Sequence, residues 1–150
     1  EHLLRQPFER LDVALCGARW PDAAGSDAQV RTLFAGAEFI DIAVQETRAK
    51  HPSRPALQSQ LERLRDTWPA MRERLRAQLI PSAELKHRLQ LVGAPAEPEE
   101  IGLTRTRLRE SFRRAYHIRR RFTVLDLAMR TGVLDESLDA LFGAGGVWPI

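Results

Sequence analysis

The chain has 150 residues, 43% of them hydrophobic and 29% charged, a globular composition rather than a disordered or fibrous one. No run approaches the ~18 apolar residues that a membrane-spanning helix needs, and one cysteine, Cys16, excludes an internal disulfide framework or a multi-cysteine zinc site. Twenty-three Lys and Arg against 20 Asp and Glu leave a net charge of +3, too small an excess to point to nucleic acid.

In chain order the pattern is helical. Glu1-His2-Leu3-Leu4-Arg5-Gln6 reads as the last turn of a helix stopped before Pro7, which leads us to expect further sequence upstream of Glu1. Asp12 is positioned to cap a short helix ending near Trp20-Pro21, with Cys16 as a small buried hydrophobe. Ser26 is expected to cap a long helix with an apolar stripe of Val30, Leu33, Phe34, Ala37, Ile40 and Val44, which stops at His51-Pro52. A second stripe, from Leu57 through Leu61, Leu64, Trp68, Met71 and Leu75 to Leu79, holds its phase across Pro69 and predicts one kinked helix.

Pro81-Ser82 starts another helix, closed by Gly93. A loop over 93–102 follows, with room for a turn at Pro98-Glu99-Glu100. Leu108, Phe112, Ala115, Ile118, Phe122, Leu125 and Met129 then predict a single long helix ending at Thr131-Gly132. Asp135 is expected to cap a last short helix ending at Phe142, and residues 143–150 are expected to be a flexible glycine-rich tail. No stretch alternates as a strand would. The expected fold is all-α, an irregular bundle of about six helices forming one domain over residues 1–142.

Chemistry is sparse. His2, His51, His87 and His117 are scattered, no Gly-x-Ser-x-Gly turn occurs, and Gly143-Ala144-Gly145-Gly146 follows a helix instead of opening one. No residue is therefore assigned a catalytic, cofactor-binding or metal-ligating role. Asp126 and Arg130 read as an ordinary surface pair four residues apart. The one concentrated feature is eight arginines between Arg105 and Arg121 with a single acid, Glu110. On a continuous helix Arg114, His117 and Arg121 would share a stripe off the core face. That stripe is either a solvated face paired with acids such as Glu62, Asp66 or Glu73, or a surface facing phosphate.

Two segments carry a family resemblance. Gly93-Ala94-Pro95-Ala96-Glu97-Pro98-Glu99-Glu100-Ile101-Gly102-Leu103, followed by Tyr116-His117-Ile118-Arg119-Arg120-Arg121-Phe122-Thr123-Val124-Leu125-Asp126-Leu127, resembles the C-terminal helical region of bacterial sn-glycerol-1-phosphate dehydrogenases. Glu46-Thr47-Arg48-Ala49-Lys50 and Trp68-Pro69 are weaker matches. These enzymes belong to the superfamily of iron-containing alcohol dehydrogenases, glycerol dehydrogenases and dehydroquinate synthases.

The resemblance implies a dehydroquinate synthase-like C-terminal domain, the helical wall of a cleft whose other side is an N-terminal nucleotide-binding domain. It implies reduction of dihydroxyacetone phosphate with NAD(P)H and a divalent metal, zinc or nickel, held by one Asp and two His. None of the matched positions is one of those ligands. Glu1-His2-Leu3-Leu4 aligns poorly with the family's ligand segment, because Arg5-Gln6-Pro7 departs from it. The chain alone is then expected to be inactive and to bind neither cofactor nor metal. Its expected partners are the upstream domain and, optionally, a second copy, with no membrane and no nucleic acid. The expected setting is cytoplasmic, since the one cysteine fits a reducing compartment and no basic-then-apolar leader opens the chain. His117 and Arg121 are the candidate contacts to substrate phosphate. The alternative is a stand-alone helical module that binds an acidic partner through its arginine-rich helix.

Overall fold

Helix α4, Arg54–Gln78, is the axis of the molecule, and the structure, a computed structural model, describes residues 1–150 around it. The chain is all-helical with no strand, as its periodicity predicts. Eight α-helices are present where about six are expected. The other seven are α1 (Val13–Arg19), α2 (Ala23–Leu33), α3 (Ile40–Lys50), α5 (Ser82–Leu91), α6 (Arg105–Ala115), α7 (Val124–Arg130) and α8 (Leu134–Phe142). No helix is long and apolar enough to cross a membrane.

The two extra helices come from two breaks. The first expected long helix begins earlier, at Ala23, because the Asp22 carboxylate accepts from the Gly25 N–H at 2.7 Å, and Ser26 lies inside the helix. It then breaks after Leu33 through Gly36, whose φ of +81° suits only a residue without Cβ. The stripe is real, but its members face each other across a hairpin of α2 and α3, with Val30, Phe34, Ala43 and Val44 buried together. Replacing Asp22 by alanine should cost about 1 kcal/mol, the usual value of such a cap, read as a lowered denaturation midpoint.

The second break splits the arginine-rich element. Helix α6 ends at Ala115, and α7 starts only at Val124. Thr123 caps α7 reciprocally with Asp126. The Leu125 N–H bonds the Thr123 hydroxyl at 3.2 Å, and the Asp126 carboxylate accepts from the Thr123 N–H at 2.9 Å. That motif overrides the apolar periodicity. Ile118 and Phe122, expected in the core, lie exposed on the connecting loop.

Helix α4 runs unbroken through Pro69, as its phase requires. Its buried face carries Leu57, Leu61 and Trp68. Trp68 sits edge-on to Phe8 at 4.8 Å and donates its indole N–H to the Gln6 carbonyl at 3.0 Å. The main core joins Leu3, Leu4 and Phe8 to Trp68 and to Ala128, Leu134, Leu138 and Phe142. A smaller cluster sets Val13 and Trp20 against Leu57 and Leu61.

Three local features concern the ends and the surface. Helix α8 starts at Leu134 without a side-chain cap, and Asp135 instead pairs with Arg113 at 2.7 Å. Residues 143–150, expected to be flexible, fold back: Trp148 N–H bonds the Leu141 carbonyl at 3.0 Å, and its ring lies against Phe112 and Phe142. Helix α5 buries no residue. It is tethered by the Ser82 N–H on the Glu1 carboxylate at 3.0 Å and by the Lys86–Glu97 pair, and it leaves Leu85, Leu91 and Val92 exposed.

Candidate functional site

Where α3 ends and α7 begins, the interior is polar. Lys50, the last residue of α3, places its ammonium 3.1 Å from the Asp126 carboxylate, with the two side chains only 5% and 0% exposed. The expected surface pair of Asp126 with Arg130 does not form. Asp126 points inward because it serves the α7 cap with Oδ2 and the Lys50 ammonium with Oδ1. Arg130 is buried too. It donates to the Gln60 side chain and, at 2.9 Å, to the Lys50 carbonyl, and its guanidinium lies 4.9 Å from the Phe122 ring centre.

Tyr116 and His117 close the cluster from the loop after α6, and both are buried. The Lys50 ammonium sits 3.8 Å from the Tyr116 ring centre, a cation–π contact. The Thr47 hydroxyl bonds the Ala43 carbonyl at 2.7 Å and His117 Nδ1 at 3.0 Å. A hydroxyl has one proton, and the carbonyl can only accept it. His117 must therefore donate through Nδ1–H, which leaves Nε2 as a free lone pair.

Burial governs the charge states. It lowers the Lys50 pKa, against the pull of Asp126, and it pushes the Tyr116 phenol up to about 12. His117 is held down at about 4, first by burial and then by the neighbouring Lys50 cation, so its ring is neutral at physiological pH. An interior of this kind is costly for a helical bundle, and packed apolar residues of the same volume would serve stability as well. Perturbed groups beside a cleft mark a candidate functional site.

The cleft is present. It holds about 350 Å³ and runs between α1, the start of α2 and α7, with Tyr116, His117 and Arg130 on one side and Leu11, Leu15 and Trp20 on the other. His51 stacks on Trp20 at 4.9 Å and donates to the Pro21 carbonyl at 3.1 Å, which fixes the mouth. Cys16, expected as a buried hydrophobe, is half-buried on this wall, its thiol 3.5 Å from the Thr131 carbonyl.

The two residues read as phosphate contacts are not on one helical stripe, because 116–123 is a loop. His117 lines the cleft, whereas Arg121 is exposed. The other arginines largely answer to this chain's own acids. Arg105 pairs with Glu99, Arg109 with Asp139, Arg113 with Asp135 and Arg120 with Glu46, and not with Glu62, Asp66 or Glu73. Sequence reasoning missed Lys50 and misplaced Asp126. Two signals were available: Lys50 is one of two lysines in a chain that otherwise uses arginine, and Thr123-x-x-Asp126 has the spacing of a capping box.

No family model, no curated protein and no solved structure matches the chain.

Proposed function

We propose that this chain is the helical, cleft-forming half of a metal- and NAD(P)-dependent sn-glycerol-1-phosphate dehydrogenase, completed by a nucleotide-binding domain. The supporting observation is convergence. The segments that resemble the family, 46–50 and 116–127, lie far apart in sequence and meet at the Lys50–Asp126, Thr47–His117 and Glu46–Arg120 contacts. Helix α5, with no buried residue and with Leu85, Leu91 and Val92 exposed, is a surface on which the other domain would dock.

Zinc or nickel does not fit residues of this chain, since no group of three or more His, Cys, Asp or Glu side chains converges. Metal and nicotinamide chemistry is therefore assigned to the other domain, and no chemical step is assigned here. Within this reading the phosphate contact belongs to Arg121. His117 is neutral, and its Nδ1–H is engaged by Thr47.

The whole reading frame, supplied with zinc or nickel, should oxidise NADH or NADPH when given dihydroxyacetone phosphate, and residues 1–150 alone should not. In that protein Arg121→Ala should lower kcat/KM roughly ten- to a hundredfold, the worth of one charge-assisted contact. Its melting temperature should barely move, because Arg121 is exposed and makes no ion pair. A whole protein that reduces no dihydroxyacetone phosphate overturns the proposal.

A further inference from the structure

The cleft carries two polar atoms that the chain leaves both unmatched and open. His117 is 7% exposed and lines the cleft, whereas Thr47, which holds its Nδ1 side, does not. The ring edge that meets the cleft is therefore the one bearing Nε2, an acceptor with no partner. Ser26 is also 7% exposed and lines the same cleft, with a hydroxyl that bonds nothing in the chain. The Tyr116 hydroxyl and Arg130 Nε, by contrast, are sealed in the interior, out of reach of anything seated there.

The helix hairpin makes the two open atoms neighbours. Val30 on α2 packs with Ala43 and Val44 on α3. One turn towards the open end, Ser26 and Thr47 take the corresponding places, and the Arg48–Asp27 ion pair beside them holds that register. Thr47 in turn carries His117 at 3.0 Å. Hydroxyl and imidazole both adjoin Thr47.

Their chemistry selects the ligand. Nε2 only accepts, while the Ser26 hydroxyl donates and accepts. A carboxylate offers Nε2 no proton, and an ammonium would be repelled by the Lys50 cation next to the ring. The donor must be neutral. The acids on the rim are already engaged, Asp12 by the Leu15 N–H and Asp135 by Arg113. Leu11, Leu15, Trp20 and Met129 give the cleft an apolar wall, and its 350 Å³ is the size of a small-molecule pocket.

We propose that this cleft binds a small neutral alcohol or phenol with an apolar body. Its hydroxyl donates to His117 Nε2 and accepts from Ser26, and its body displaces water from the wall of Leu11, Leu15 and Met129. The site is independent of the dehydrogenase reading, because it is built wholly from residues of this chain.

The experiment follows two resonances of the chain as it stands, at pH 7.5. The Met129 methyl reports occupancy of the cleft, and the His117 Nε2 nitrogen reports a hydrogen bond to its lone pair. p-Cresol should shift both saturably. Toluene, the same body without the hydroxyl, should bind more weakly and leave Nε2 in place, and p-toluate should not bind. Ser26→Ala deletes an unpartnered hydroxyl within α2, so Tm should hold or rise. Its affinity for p-cresol should fall roughly fivefold, the worth of one neutral hydrogen bond, with toluene unaffected.

No response to p-cresol would mean that the cleft takes only water, and overturns the proposal. Toluene binding as tightly as p-cresol would mark a purely apolar pocket, and p-toluate binding as tightly an anion site. Occupancy by p-cresol without a shift of Nε2 would remove the role of His117. Each of these results overturns the assignment, as does an affinity for p-cresol that is unaltered in Ser26→Ala.

Discussion

Asp126→Ala should lower stability by about 4 kcal/mol, because it leaves the Lys50 ammonium buried without its counter-charge and removes the Asp126 half of the α7 capping box. At this chain length that corresponds to a fall of roughly 8–16 °C in Tm. The Lys50→Met/Asp126→Asn double variant should lose much less than the two single variants summed, since no uncompensated charge then remains. Denaturant unfolding of the four proteins measures the coupling. Additive losses would mean that the pair is solvated and contributes little.

Acid should unfold this protein through His117. Unfolded, its ring takes up a proton near pH 6.5, whereas folded it does so only at about 4. Between those values the unfolded state binds more protons, so stability falls as pH drops from 6.5 to 4, and below 4 this residue adds no further loss. The total is roughly 3 kcal/mol. His117→Asn keeps a donor for the Thr47 hydroxyl and has nothing to titrate. Its unfolding free energy should change less over that window than the native chain's. Parallel pH curves for the two proteins would show that His117 is already protonated, or equally solvated, in the folded state.

Fold class was legible in the sequence because apolar spacing reports which residues share a helix face, and in the first two stripes the centre of that face is buried. Val30, Phe34 and Val44 form one cluster, as their stripe predicts. Spacing does not report continuity. Two antiparallel helices joined by a short turn can keep the phase of one long helix, and only Gly36 and the Thr123–Asp126 cap mark where the chain turns. The misplaced site follows from the same error. On a continuous helix Asp126 faces Arg130 and His117 faces Arg121, whereas the break at 116–123 turns Asp126 and His117 inward to meet Lys50 and Thr47. Those partners lie seventy and seventy-six residues away, and no local pattern encodes them.

The main core also dictates an order of assembly. Leu3, Leu4 and Phe8 are enclosed by Leu134, Leu138 and Phe142, near the opposite end of these residues, with Trp68 between them. On a ribosome that core cannot close until α8 has emerged, so Leu3, Leu4 and Phe8 lack those partners until then. The α2–α3 hairpin needs no such delay, since its cluster of Val30, Phe34, Ala43 and Val44 spans few residues and loop closure over so short a distance is fast. Lys50, at the end of that hairpin, is then in place early, and its carboxylate partner arrives some seventy-six residues later. The polar interior is therefore sealed among the last events of folding.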